Sequence, residues 1–304
     1  IGVARDGRRL LGKTLSAVAG GDAGAGTADA ALDPGLRTAL EILADAGASP
    51  ADLGAVKVGT TVVTNALLEG HGSRVAWVTT RGFGDALLIG QQDRPDLFAL
   101  RLRRPAPLYA VVVEIDERVG VEGEVLEAPD PEQVRDALRH ALARGCDAVA
   151  IALLHGWRHD AHERQVAVIA RELGFAQVSV SHELAPLPRL VPRGDNTVFD
   201  ARLATTLRAY TDRLAAQLAA VAPAARLHFM QSAGGLTGAA GFRPAASVLS
   251  GPAGGLIGMA RLGAALGDAR LIGFDMGGTS TDVSLHDGAF VQRVEHRLGG
   301  ARLT

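Results

Sequence analysis

Short apolar segments alternate with longer segments of helical periodicity along most of the chain, and this alternation constrains the fold more than any other feature. Predicted strands cover residues 55–58, 75–79, 111–115, 148–154, 177–181, 227–230 and 271–274. Predicted helices cover residues 34–46, 61–69, 83–89, 131–143, 161–173 and 197–221, with a further helix that begins near residue 252. Strands separated by helices of about ten residues or more favour a mainly parallel or mixed sheet with helical cover. The sequence therefore predicts an α/β fold.

Three prolines interrupt this pattern at Pro186, Pro188 and Pro192, and we predict a boundary between two lobes there. A chain of 304 residues is near the size at which a single core divides, about 250–300 residues. We predict a first lobe over residues 1–185 and a second over residues 186–304. The second lacks the alternating units that would complete a sheet, so we expect the chain to be a piece of a longer protein.

The composition argues against several classes of partner. Lys and Arg number 31 and Asp and Glu number 33, which gives a net charge of −2 and no broad basic surface for nucleic acid or an anionic membrane. The sequence contains no uncharged apolar run near the roughly 18–20 residues that span a bilayer. The single cysteine, Cys146, precedes the apolar run 148–154 and is predicted to be a buried thiol. These features fit a protein of the reducing cytoplasm.

Residues 271–285 read LIGFDMGGTSTDVSL, which is an apolar strand, a polar glycine-containing loop and a second apolar segment. Two glycines permit a tight turn whose backbone N–H groups can approach phosphate oxygens, and hydroxyl side chains can add further donors. The candidate phosphate ligands are Gly277, Gly278, Thr279, Ser280 and Thr281. The alternative is an ordinary hairpin, but the full strand-flanked pattern is more constrained than a bare Gly-Gly pair and favours phosphate binding.

Two acidic residues flank this loop. Asp275 lies at the predicted strand end, where a carboxylate can hold hydrated Mg²⁺ but would repel the phosphate itself. Asp282 follows the loop and could serve a similar role or orient the loop. We therefore predict Asp275 and Asp282 as the catalytic acids, with Asp275 as the metal ligand.

Several segments together resemble one known family. They are VGTTVVTNALLEG at 58–70, VTTRGFGDALLIGQQDRPDLF at 78–98, ALLHGWRHDAHE at 152–163, FMQSAGGL at 229–236, LSGPAGG at 249–255 and the loop segment above. In this order they are similar to the large, hydantoinase A type subunits of the hydantoinase and 5-oxoprolinase family, which are related to acetone carboxylase subunits. The resemblance implies an actin-like ATPase fold with two lobes, the second incomplete here. It also implies that this chain lacks a first Gly-Gly-Thr loop that family members carry near their N-terminus.

The resemblance implies a chemistry as well. Family members use ATP and Mg²⁺ to phosphorylate the amide oxygen of a cyclic amide such as 5-oxoproline or a hydantoin, which water then opens. They generally work with a second subunit of the hydantoinase B type. Two other functions stay open: a subunit of an ATP-dependent ketone carboxylase, and a non-catalytic fragment or binding module.

Two glycine-containing turns are further candidate sites. Gly59, Thr60 and Thr61 join a predicted strand to a helix that contains Asn65, so free N–H groups could meet an anion or a substrate carbonyl. The alternative is a threonine cap on the helix, and the resemblance favours a substrate or nucleotide role. In the second turn, the sequence predicts a serine cap followed by glycines, which would let the backbone approach a ligand closely. Its residues, Ser250, Gly251, Gly254 and Gly255, are implied by the resemblance to contact nucleotide, although helix packing also explains the glycines.

The remaining candidates are weaker. Arg94, in the polar segment 91–96, could bind a carboxylate bidentately, or it could lie on a solvated loop. The turn with Gln231, Ser232, Gly234 and Gly235 could line the same cleft, or it could be a simple polar turn. One interpretation of His155, His159 and His162 is a metal site, since His159 and Glu163 are four residues apart. The other interpretation is a helix cap at Asp160 with histidines that face solvent. A metal site is likewise an alternative for His182 and Glu183.

Overall fold

The computed structural model describes residues 1–4, 9–12, 32–91, 98, 106–276, 281–290, 296–298 and 301–303. The strands are β1 (Gly2–Val3), β2 (Arg9–Leu10), β3 (Ala55–Val58), β4 (Val75–Thr80), β5 (Val111–Ile115), β6 (Arg118–Val119), β7 (Val125–Glu127), β8 (Ala148–Ile151), β9 (Gln177–Val180), β10 (Arg226–Met230), β11 (Leu236–Thr237), β12 (Arg270–Met276), β13 (Thr281–Asp287), β14 (His296–Leu298) and β15 (Ala301–Leu303). The helices are α1 (Pro34–Asp45), α2 (Val62–Leu68), α3 (Ala86–Ile89), α4 (Pro131–Ala143), α5 (Ala161–Glu172), α6 (Ser181–Leu184), α7 (Leu190–Val221), α8 (Pro244–Ser247) and α9 (Ser250–Leu266).

A four-stranded sheet of order β5-β4-β8-β9 forms one core, and all its neighbouring strands are parallel. Every residue of β4 is buried, as expected for a central strand covered on both faces. One face packs on α4 and α5 through residues such as Leu138 and Val166. The other face, with Trp77, packs on α7 through Val198 and Ala201. The predicted α/β class is confirmed.

A second sheet has the order β11-β10-β3, in which β3 is parallel to β10. Its core includes Phe229 of β10, Val63 of α2 and Phe199 of α7. The pairing of β3 with β10 joins residues from both sides of the boundary predicted at residues 185 and 186. The division into two lobes therefore stays a prediction.

Two helices begin at Asp-Pro pairs, where the aspartate accepts backbone N–H groups that the first turn leaves unpaired. Asp33 Oδ1 accepts from Gly35 N at 2.9 Å before α1, and Asp130 Oδ1 accepts from Glu132 N at 2.9 Å before α4. The proline at the first helical position has no N–H to satisfy. Both starts agree with the predicted bounds.

Helix α7 differs from the prediction, since it begins at Leu190 and not near residue 197. Pro192 is its third residue, and a proline in the first turn removes no intrahelical hydrogen bond. Its residues 196–201 are all buried, so this part of α7 lacks the solvent-facing side of an amphipathic helix. The predicted strand over residues 148–154 is also too long, because β8 ends at Ile151 and the next residues bind side chains from α5 and α7.

Helix α9 lies along the antiparallel hairpin of β12 and β13. Gly263 packs on Leu271, and Gly273 packs on Met259. The strand therefore runs back toward the start of the helix.

Cys146 is buried, and burial raises the pKa of its thiol. This confirms the predicted buried cysteine. Within the described ranges, we find no helix whose length and apolar character would allow it to cross a membrane.

Candidate functional site

The two predicted glycine-containing turns meet, although they are 190 residues apart. The backbone N–H of Thr60 donates to Ser250 Oγ at 3.3 Å, and the Ser250 hydroxyl donates to the Thr60 carbonyl at 3.0 Å. Both residues are buried. A Cβ on Gly59 would lie 3.6 Å from Gly251 Cα, so the two backbones are in close contact. We call this contact of residues 59–61 with residues 250–251 the Thr60–Ser250 junction.

At the junction, some residues are buried and hold the structure together, and others are exposed. Thr60 is buried, its Oγ1 accepts from Val62 N at 3.3 Å, and its side chain hydrogen-bonds Tyr210, whose pKa is raised mainly by burial. Thr61 and Asn65 lie exposed on the first turn of α2, where Asn65 Nδ2 donates to Thr61 Oγ1 at 3.4 Å. Thr61 is the residue before the helix but makes no side-chain cap. Of the predicted residues in this turn, Thr60 is buried, and the exposed Gly59, Thr61 and Asn65 are available to a ligand.

The predicted cap role of Ser250 is wrong. Ser250 is the first helical residue of α9, and the residue before it, Leu249, has a left-handed backbone with φ of 60°. This start turns the Ser250 hydroxyl toward the Thr60 backbone, away from its own helix. Gly254 lies near Met230 of β10, with 3.8 Å between a Cβ on the glycine and Met230 Cε.

Replacing Ser250 with alanine is expected to destabilise the folded chain by about 1–3 kcal/mol, because it leaves the buried N–H and carbonyl of Thr60 without partners. Urea unfolding followed by circular dichroism measures the change. Ser284→Ala is the matched control, because the half-buried Ser284 makes no hydrogen bond through its side chain within the described residues, and we expect a change within about 0.5 kcal/mol. Equal changes in the two variants would show that the junction contributes little.

The turn after β10 lies at the same edge. Gln231 N donates to the Gly235 carbonyl at 2.8 Å, and the Ser232 hydroxyl donates to carbonyl groups of Ala246 and Val248, just before α9. Because β3 and β10 are parallel neighbours, their carboxyl ends meet at one edge of the sheet. The structure therefore brings three predicted segments together: residues 59–61, 231–235 and 250–255.

Asp275 is exposed near the end of β12, opposite Asp282 of β13 in the hairpin register. It lies two residues beyond Gly273, which packs on Met259 of α9. Thr281 is the first residue of β13. Gly277, Gly278, Thr279, Ser280 and Arg94 lie outside the described residues, and their predicted roles stay predictions.

The sequence prediction missed a buried polar network at the carboxyl ends of the four parallel strands. Glu163 and Arg193 are fully buried and form an ion pair of 2.9 Å. Glu163 also accepts from Leu153 N at 2.9 Å and from His182 Nδ1 at 2.7 Å, and Arg193 Nη2 donates to the Leu153 carbonyl at 2.6 Å. Burial lowers the pKa of Arg193, while Glu163 opposes that shift.

A second carboxylate extends this network. Glu117 is buried, accepts from the Thr80 hydroxyl, and contacts His162 Nδ1 at 2.7 Å. Thr80 Oγ1 in turn accepts from Leu154 N at 2.9 Å. Glu163 directly, and Glu117 through Thr80, thus hold the backbone N–H groups of Leu153 and Leu154 just after β8. This gives the two glutamates a structural role.

The histidines differ from both predicted alternatives. His162 is buried against Glu117 and does not face solvent, and His159 Nε2 contacts the Val121 carbonyl at 3.1 Å instead of sharing a ligand with Glu163. Asp160 precedes α5 without a side-chain cap and pairs with Arg164 at 2.7 Å. Over the residues that the structure covers, no three His, Cys, Asp or Glu side chains are grouped so as to hold a metal ion.

Comparison with known proteins gives consistent matches. Residues 7–174 match the family model described as the hydantoinase/oxoprolinase N-terminal region, and residues 193–304 match the model described as hydantoinase/oxoprolinase. A 5-oxoprolinase of Saccharomyces cerevisiae is 41% identical over 303 residues, which cover 88% of this chain and 23% of the relative. The chain therefore spans about a quarter of that relative's length.

Two solved structures share the fold. The nucleotide-free structure of acetone carboxylase matches with a TM-score of 0.80 and 22% identity, over 88% of this chain and 40% of that one. An ATP-dependent caprolactamase from Pseudomonas jessenii matches with a TM-score of 0.69 and 28% identity, over 82% of this chain and 38% of that one.

Proposed function

Because the chain belongs to the hydantoinase/oxoprolinase family, we propose that it is part of an enzyme that uses ATP to open a cyclic amide of the 5-oxoproline or hydantoin type. The Thr60–Ser250 junction carries the proposal, since it joins two glycine-containing turns at one sheet edge. Asp275 lies on β12, which packs against the same helix, α9. This arrangement leaves exposed polar groups beside backbone that a ligand can approach closely.

We assign roles to residues on this basis. Asp275 is exposed at a strand end, and hydrated Mg²⁺ needs only one or two protein carboxylates, so the residue fits that ion. The loop 277–280 and Thr281 would bind phosphates, with Asp282 as the second acid. Gly251, Gly254 and Gly255 would approach the nucleotide, and Ser250 would hold their helix in place. Thr61, Asn65 and Arg94 would contact the cyclic amide, while Gly59 and Thr60 position that turn.

The proposal also includes an actin-like fold with two lobes that divide near residues 185 and 186. The hairpin of β12 and β13, which is separate from the other sheets and packs against α9, supports this part of the proposal. ATP supplies the phosphoryl group that activates the amide oxygen, and Mg²⁺ neutralises the phosphates. We further propose a hydantoinase B type partner subunit and a cytoplasmic location, which the single buried thiol fits.

The test uses the protein extended to the length of its relatives, with and without a hydantoinase B type subunit. We expect ADP release from ATP that depends on 5-oxoproline or a hydantoin and on Mg²⁺ and that requires neither a ketone nor bicarbonate, with one ring opened for each ADP. ADP release that requires a ketone and bicarbonate would instead identify a carboxylase. A protein that neither binds nor hydrolyses ATP would be a non-catalytic module.

A further inference from the structure

The residue just before α9 has a backbone conformation that leucine rarely adopts. Leu249 is left-handed, with φ of 60° and ψ of 18°. This conformation brings Cβ close to the carbonyl oxygen that follows it, so it costs free energy for every residue except glycine. The side chain of Leu249 is 45% exposed, and its burial therefore offsets only part of that cost. Contacts of the surrounding backbone must hold the residue in this conformation.

The residues on both sides of Leu249 are anchored. Val248 is fully buried and belongs to the core of the second sheet. Ser250 is buried at the Thr60–Ser250 junction, where its hydroxyl donates to the Thr60 carbonyl at 3.0 Å. Leu249 is thus the exposed link between two residues that the interior holds in place.

Ser232, just after β10, fixes the backbone that leads into Leu249. Its N–H donates to the Ala246 carbonyl at 2.7 Å, and its hydroxyl donates to the carbonyls of Ala246, at 2.9 Å, and Val248. The Val248 carbonyl belongs to the planar peptide unit that also contains the nitrogen of Leu249. By holding that carbonyl, Ser232 fixes the plane from which the φ angle of Leu249 is measured.

We propose that Ser232 is a positioning residue for the nucleotide site and that it acts by holding Leu249 left-handed. The left-handed residue sets the direction in which α9 leaves the sheet edge, where Gly251 lies against Gly59. Ser232 itself does not touch the nucleotide in this assignment. It determines where the first turn of α9 presents its backbone. The inference rests on the proposed function, in which the glycines of that turn approach the nucleotide.

Urea unfolding of the 304-residue chain tests whether Leu249 is held left-handed in solution. Glycine and alanine at this position both remove most of the leucine side chain, but only glycine enters the left-handed region without a steric penalty. We expect Leu249→Gly to unfold at a higher urea concentration than Leu249→Ala, which reverses the order of the two residues in an ordinary helix. A Leu249→Ala variant at least as stable as Leu249→Gly would refute the proposal.

Ser232→Ala tests the positioning role in the protein extended to the length of its relatives. We expect the KM for ATP to rise at least fivefold and kcat to stay within twofold, because a displaced α9 weakens binding of substrate and transition state alike. Adding Leu249→Gly to Ser232→Ala should return the KM to within twofold of wild type, since glycine keeps the left-handed turn without being held there. Adding Leu249→Ala should leave the KM raised.

Ser247→Ala is the matched control, because the buried Ser247 hydroxyl also donates to a backbone carbonyl, that of Pro244 at 2.7 Å, but inside its own segment. It should lower stability and keep the KM for ATP within twofold of wild type. The positioning role is excluded if Ser232→Ala keeps the wild-type KM, or if glycine and alanine at residue 249 restore it equally. An extended wild-type protein that releases no ADP would contradict the proposed function instead, and the urea comparison would still decide the conformation of Leu249.

Discussion

Replacing Asp275 with alanine is expected to abolish ATP turnover in the protein extended to the length of its relatives. Asp275 is exposed near the end of β12, a strand that packs against α9, and its carboxylate can hold the hydrated cation that neutralises phosphate. Groups that stabilise developing charge contribute about 100–1,000-fold each to rate, so we expect a fall of at least that size. Substrate-dependent ADP release at saturating Mg²⁺ measures it.

The control for this variant is Asp287→Ala, because Asp287 is an exposed carboxylate at the other end of the same hairpin. It should keep turnover within about twofold of wild type, since no part of the site lies there. Both variants should unfold at the wild-type temperature, because exposed side chains away from special contacts change stability by about 0.5 kcal/mol or less. Turnover at the wild-type rate in the Asp275 variant would overturn the assignment of the phosphate site.

Local patterns in the sequence predict the elements of this fold well, because their causes are local. Each strand predicted between residues 75 and 181 is present, as β4, β5, β8 and β9, and the Asp-Pro pairs at residues 33–34 and 130–131 begin helices. The start of α7 was missed because Pro192 suggested a break. A proline in the first helical turn is tolerated, and the sequence does not show which turn that is.

The contacts that join distant segments were not predictable in the same way. Ser250 reads as a helix cap, yet its hydroxyl binds Thr60 because β3, β10 and α9 bring the two turns together. The buried pair of Glu163 and Arg193 was missed for a similar reason. Charged residues are mostly exposed, and the inward position of these two depends on how α5 and α7 pack on the sheet.

Replacing Glu163 with glutamine is expected to lower the free energy of unfolding by about 3–5 kcal/mol, because it leaves the Arg193 cation buried without a counter-charge. Both side chains are fully buried, and they hold the backbone of Leu153 from its two sides. Urea unfolding of the 304-residue chain, followed by circular dichroism, measures the change. A loss of this size would be a large part of the stability of a domain, which is usually about 5–15 kcal/mol.

Glu172→Gln is the control, because Glu172 is 52% exposed and pairs with Arg135 at 2.8 Å on the surface. Exposed pairs contribute about 0–1 kcal/mol, so this variant should be nearly as stable as wild type. The double variant Glu163→Gln with Arg193→Met should recover part of the loss, because it removes the uncompensated cation along with its partner. A double variant that is less stable than Glu163→Gln alone would mean that Arg193 stabilises the strand end through its bond to the Leu153 carbonyl, and that its charge is of little consequence.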